Sequence, residues 1–177
     1  YHLERLRKSQ WLAVDDLTEM QLTATRDYLI YAAEHSTHFK KQFTELDFHP
    51  HDFTSLEQLT KLPLLGKQLL RIDINPFISD EISKLGVRWS QTSGTTGTPL
   101  SFPLSRECFQ REHAFRYLHY EWGGVYRGQK MAFCAGHPVT YHDRTRPPFW
   151  VYDASNRWLL LSSYHLTRNN LSAYIKK

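Results

Sequence analysis

The order of apolar and polar residues divides the chain into a helical part and a mixed part. Leu22, Leu29, Ala32 and Ala33 recur at helical spacing. Thr18 and Gln21 fit a capping box, in which a hydroxyl accepts the N3 amide while the Gln side chain returns to the cap amide. Leu17 and Leu22 then hold the two positions of a hydrophobic staple, so the pattern predicts a helix opening at Thr18. A second, short helix is expected over residues 36–43. Another capping box at 54–57 opens a helix that must end near Pro63, because the residue before a proline avoids helical backbone. Residues 1–84 therefore read as a helical lead-in with loops.

After Gly86 the pattern turns to strands. Residues 87–92 and 100–104, the latter broken by Pro103, flank a loop of Ser, Thr and Gly. Ser105 caps a long helix over Arg106–Trp122 that sets Phe115, Leu118 and Trp122 on one face, and Gly123 and Gly124 stop it. A short apolar strand at 130–135 and a loop rich in His, Arg and Pro at 136–148 follow. Strands at 149–153 and Trp158–Ser162 then flank a turn at Ser155 and Asn156. Thr167 is placed to cap a last helix through Leu171, Tyr174 and Ile175. The expected class is mixed α/β, with the lead-in at 1–84 and the α/β part from 85 to 177.

Composition narrows this only a little. The 177 residues are 41% apolar and 23% charged, enough to bury a core without disulfides or a metal. No apolar run approaches the roughly 20 residues of a membrane-spanning helix, so no membrane span is expected. Cys108 and Cys134 do not form a CxxC pair and no signal peptide is visible, which predicts a reducing compartment, the cytoplasm. The formal charge is +4, and its basic residues are dispersed rather than gathered into the stripe that nucleic acid requires. No nucleic-acid partner is expected. The chain starts at Tyr1 without an initiator methionine, and its last apolar stripe still runs at Lys177, which reads as a piece of a larger protein.

The densest chemistry lies at 92–98, where five hydroxyls and two glycines fall together: Thr92, Ser93, Gly94, Thr95, Thr96, Gly97 and Thr98. Glycines let successive backbone amides point into one concavity, and such a nest suits an anion. Hydroxyls add donors and a magnesium ligand, so phosphate is the natural guest. This is neither a GxxxxGK[ST] loop nor a GxGxxG turn. From composition alone, a Ser/Thr-rich hairpin turn without a ligand is the competing reading.

The whole string, Thr92 through Gly97 with Pro99, resembles the phosphate-binding motif of the adenylate-forming (acyl-CoA ligase) superfamily. The stretch 61–67, Lys-Leu-Pro-Leu-Leu-Gly-Lys, and the helix ending at 31–39 are similar to the phenylacetate-CoA ligase and CapK-like branch. Residues 147–150 and 163–166 resemble the CapK-like group in particular. The resemblance implies the N-terminal part of such an enzyme's large domain, a helical lead-in followed by a mixed β-sheet with packed helices.

The activity it implies is ATP-dependent activation of a small-molecule carboxylic acid as an acyl-adenylate, then transfer to CoA or another acceptor. It places Thr92, Ser93, Gly94, Thr95, Thr96 and Gly97 on the nucleotide phosphates, with the Thr95 or Thr96 hydroxyl as the Mg²⁺ contact. Many relatives carry Lys where this chain has Thr98. The catalytic lysine of the C-terminal lid, and the later adenine and ribose motifs, have no counterpart, so the 177 residues alone are expected to be inactive. A non-catalytic nucleotide-binding module that keeps the loop is the alternative, and the CapK likeness hints at capsular polysaccharide synthesis.

The other reactive residues are read more plainly. His35 with His38, and His49 with His51, lack further ligands, so no side-chain cluster is expected to hold a metal. His113 and His119 are surface or packing residues. His137 follows a strand end, and the resemblance brings its loop near the acyl substrate, so it is the candidate pocket residue beside a structural reading. Cys134 is expected to be a buried small residue, and Tyr117, Tyr120 and Trp122 a helix packing face.

Overall fold

A computed structural model of the chain describes residues 1–92, 99–136 and 139–177. It is a mixed helix and sheet fold in two compact units, Tyr1–Leu118 and His119–Lys177.

The elements of the first unit up to residue 84 are all helical. Helix α1 spans His2–Ser9 and α2 spans Val14–His35. Helix α2 starts four residues before the expected cap: extended Ala13 precedes it, and Asp15 and Asp16 in its first turn complement the positive end of the helix dipole. Thr18 lies inside the helix and donates its hydroxyl to the Val14 carbonyl at 2.8 Å, so the capping-box pattern there is a mid-helix back-bond.

Ser36 breaks the helix with extended backbone and caps α3 (Thr37–Glu45), accepting from the Phe39 amide. The next capping box forms one residue later than expected, from Ser55 and Gln58. The Gln58 side chain accepts from the Thr54 and Ser55 amides at 2.7 and 2.9 Å. It opens a 3-10 helix, Leu56–Lys61, which ends at extended Leu62 before Pro63. Helix α4 (Lys67–Ile72) and a 3-10 turn, Asn75–Phe77, complete this part.

Leu29, Phe43, Phe48 and Phe53 form the core, with Leu22, Ala33, Phe39, Leu56 and Leu62 packed around them. Phe53 is fully buried, and burial of such a side chain contributes about 1.5–3 kcal/mol.

Strands β1 (Arg88–Gln91) and β2 (Ser101–Leu104) pair antiparallel, with Ser90 opposite Phe102 and Gln91 opposite Ser101. Pro103 does not break β2. It sits opposite Trp89 in a two-stranded ribbon, where every strand has an outer edge that makes no ladder bond. Helix α5 (Arg106–Trp122) has the expected bounds, with its Cys108 amide donating to the Ser105 hydroxyl at 3.1 Å. Its buried residues are Ala114 and Leu118, one turn apart, whereas Phe115 and Trp122 are 62% and 68% exposed. The expected face was therefore one flank too wide, and of the aromatic set only Tyr117 and Tyr120 are half-buried.

In the second unit α5 stops at Gly124, whose positive φ lets the Val125 amide return to the Tyr120 carbonyl at 2.9 Å. Strands β3 (Met131–Ala135), β4 (Trp150–Asp153) and β5 (Trp158–Ser162) form a sheet in the order β3-β5-β4. The β3–β5 pair is parallel and the β4–β5 pair antiparallel. Met131 and Phe133 are half-buried while Ala132 and Cys134 are exposed. Cys134 is thus not a core residue: successive side chains of a strand point to opposite faces, and it falls on the open one.

Fully buried Phe149 stacks on His165 at 5.0 Å and on Tyr174 at 5.9 Å. Tyr174 lies on helix α6 (Leu171–Ile175), which begins after Asn170 rather than at Thr167. Thr167 instead closes the preceding turn, its carbonyl accepting from the Asn170 amide. Among the described residues no helix is long and apolar enough to cross a membrane.

Candidate functional site

The β1–β2 hairpin positions the predicted phosphate loop, and its base is closed by bonds in both directions. The Thr92 amide donates to the Leu100 carbonyl at 3.0 Å, and the Leu100 amide donates to the Thr92 hydroxyl oxygen at 3.1 Å. One residue further out, the Gln91 side-chain amide donates to the Ser101 hydroxyl at 2.9 Å. Strand pairing therefore fixes Thr92 and Leu100 against each other. Thr92 accepts from the backbone with its hydroxyl oxygen and keeps its O–H proton for another acceptor. The expectations at Ser93, Gly94, Thr95, Thr96, Gly97 and Thr98 lie outside the described residues, as does that at His137.

Around residue 137 the flanks are anchored. The Gly136 carbonyl accepts from the Tyr164 hydroxyl at 2.9 Å, and His142 packs edge-on against the Tyr164 ring at 4.9 Å. Arg144 donates to the Thr140 hydroxyl and to the Pro148 carbonyl, which ties the loop to the start of β4.

His35 and His38 serve structure. His35 joins Asp80 at 2.8 Å while its carbonyl accepts from the Asp80 amide, which fastens the end of α2 to the turn at 79–82. His38 lies on the Phe77 ring at 4.0 Å, and burial pushes its pKa below the usual histidine range, with Glu45 raising and Lys41 lowering it less. His113 and His119 are exposed. Among the described residues no group of three or more His, Cys, Asp and Glu side chains could hold a metal.

One pair escapes sequence reasoning. Ser162 and His165 are buried, and the Ser162 hydroxyl meets His165 Nδ1 at 2.8 Å. A nucleophilic reading fails on access, because Ser162 has no exposed surface. The Tyr174 hydroxyl donates to the Ser162 carbonyl at 2.6 Å, so the pair locks β5 to the following turn and α6. The only hint in the sequence was a Ser and a His three residues apart after an apolar strand.

By sequence, 92–98 holds five hydroxyl residues, two glycines and no carboxylate that would repel an anion, and Thr92 and Leu100 close the base of the hairpin beside it.

No family model matches the chain. The chain is homologous to ligases of the phenylacetate-CoA type and to CapK. It is 25% identical over 175 residues to protein CapK of Staphylococcus aureus, covering 99% of this chain and 37% of that protein. It is 38% identical over 88 residues to the phenylacetate-coenzyme A ligase of Pseudomonas putida and 35% identical over 88 residues to that of Escherichia coli K12. Each of these two alignments covers 49% of the chain and 20% of the ligase. The chain thus spans about a third or less of the length of the relatives it matches.

Proposed function

We propose that the chain carries the nucleotide-phosphate part of a carboxylate-activating site of the adenylate-forming type. ATP would activate a small carboxylic acid there, and CoA or another nucleophile would take the acyl group. The observation that supports this reading is the pair of bonds between Thr92 and Leu100, the residues on either side of the rest of the string, in a chain homologous to CoA ligases.

In this reading residues 1–84 are the helical lead-in and 85–177 the start of the nucleotide-binding domain. Amides at Gly94 and Gly97 and hydroxyls at Ser93, Thr95 and Thr96 bind the phosphates and stabilise charge as it builds on the leaving pyrophosphate. The Thr95 or Thr96 hydroxyl would hold Mg²⁺, which would supply positive charge to the phosphates. Thr98 supplies no cation where many relatives have lysine, so the amides and the metal carry the whole anion. The resemblance would put His137 near the acyl substrate. A role in cell-surface polysaccharide synthesis, inside the cytoplasm, rests on the likeness of residues 147–150 and 163–166 to the CapK-like group.

The test is binding of ATP and pyrophosphate with Mg²⁺ to wild type and to a Thr95→Ala/Thr96→Ala double variant. Loss of two hydroxyl contacts to a charged ligand is expected to weaken binding by at least about tenfold. Unchanged affinity in a folded double variant overturns the assignment.

A further inference from the structure

Along the inner side of the β1–β2 hairpin the first unit contains an uncharged hollow of about 470 Å³. Leu100, Phe102, Pro103 and Leu104 line it along β2. Helix α2, helix α4, the turn at 74–79 and the first turn of α5 bound it on the other sides. None of the described residues lining it is charged, in a chain that is 23% charged. The principal polar groups, the Tyr31 and Ser79 hydroxyls, lie 2.7 Å apart and satisfy each other. The Tyr28 ring is 64% exposed and the Cys108 thiol is exposed, which places the mouth between α2 and the start of α5.

The hollow is open to solvent and lies within the range of drug-sized ligand pockets, about 300–1,000 Å³, so an occupant would remove its apolar lining from water. A carboxylate or phosphate would find no counter-charge inside, and burying an unpaired charge is strongly unfavourable. We propose that this hollow is a binding site for an uncharged, apolar small molecule, a ring system or hydrocarbon chain, with Cys108 at its entrance. Five elements of one unit enclose it as a concavity, which suits a small ligand better than a protein surface. The site is built from described residues and is independent of the phosphate-loop reading.

The probe is N-phenyl-1-naphthylamine, an uncharged fluorophore, set against 1-anilinonaphthalene-8-sulfonate, the same ring system carrying a sulfonate. The full chain is expected to bind the neutral probe saturably at one equivalent and the sulfonate at least tenfold more weakly. Saturating neutral probe should slow alkylation of Cys108 by N-ethylmaleimide at least tenfold and leave Cys134, exposed in the other unit, unaffected. Cys108→Trp, checked for fold by circular dichroism, should abolish probe binding. The protection experiment needs no variant and stands if Cys108→Trp fails to fold. Equal binding of the two probes, non-saturable binding, or protection of both or neither cysteine overturns the proposal. So does a dimer in sedimentation analysis in which Cys108 is inert without probe, which would give the hollow to a second copy of the chain. Loss of nucleotide binding in the Thr95→Ala/Thr96→Ala variant bears on the loop and leaves this result standing.

Discussion

The Thr92 hydroxyl has a structural task and, in the proposed reading, a ligand to bind as well. Its oxygen holds the Leu100 amide, so Thr92→Val, nearly the same shape, leaves that N–H without its acceptor. A lost hydrogen bond of about 1 kcal/mol should raise hydrogen exchange at the Leu100 amide about fivefold and weaken pyrophosphate binding, and Thr92→Ser should restore both. Unchanged exchange at Leu100 would show that the base of the hairpin is held by something else.

Asp153 makes a comparable knot after β4. Its carboxylate accepts from the Ser155 hydroxyl at 2.6 Å, from the Asn156 side chain at 2.7 Å and from both backbone amides. These bonds, the Ser155 hydroxyl first, lower its pKa from 3.8 to about 2. A depressed carboxylate stabilises the fold fully above its unfolded pKa, and that contribution disappears as pH falls from about 4 through about 2. Asp153→Ala should therefore lower Tm at pH 6 and make a smaller difference at pH 2.5. An equal difference at both values would sink the assignment to the charged form.

At the scale of elements, caps were legible where the chain also breaks, and misleading where it does not. Ser105, read as a cap, sits at a true helix start, whereas the capping box read at Thr18 lies within a helix that had already begun at Val14. A hydroxyl followed three residues later by Gln describes a local bond and cannot report whether the preceding residues are helical. Strand faces were illegible for a similar reason. The apolar run at 131–135 announces a strand, but which face is covered depends on partners far away in sequence, so Cys134 is exposed.

Ser36 offers a direct measure of a cap. Its hydroxyl donates to the Pro76 carbonyl at 2.9 Å and accepts from the Phe39 amide, and the residue is buried. Ser36→Ala should cost about 1–2 kcal/mol and lower Tm by about 2–8 °C. Thr37 donates to the same carbonyl at 3.2 Å from an exposed position, so Thr37→Ala should cost less than about 0.5 kcal/mol. Equal losses in the two variants would mean that the cap does not set the stability of the α2–α3 corner.

Over the whole molecule, the legible part of the site was the part written in consecutive residues. The proposed anion-binding chemistry sits in consecutive positions, 92–97, and could be read without a fold. The Ser162–His165 pair needs β5 and the turn after it, and the apolar hollow draws on residues from Tyr28 to Cys108, so neither has a sequence signature. The same division bears on activity. The aligned part is 37% of CapK and 20% of the matched ligases; in the proposed reading it carries the phosphate string, while the catalytic lysine that the resemblance implies for adenylate formation has no expected counterpart in these 177 residues. Binding and turnover should then separate. The 177 residues are expected to bind pyrophosphate with Mg²⁺ but to give no ATP–pyrophosphate exchange with any aryl or short-chain acid. Thr98→Lys should tighten pyrophosphate binding about tenfold or more, as one added charge-assisted bond contributes about 1.5–3 kcal/mol, and the gain should shrink at high salt. It should still produce no exchange, because the added cation restores a ligand for the anion and not the missing lysine. Exchange by the 177 residues, with or without Thr98→Lys, would show that the activating groups are all within them.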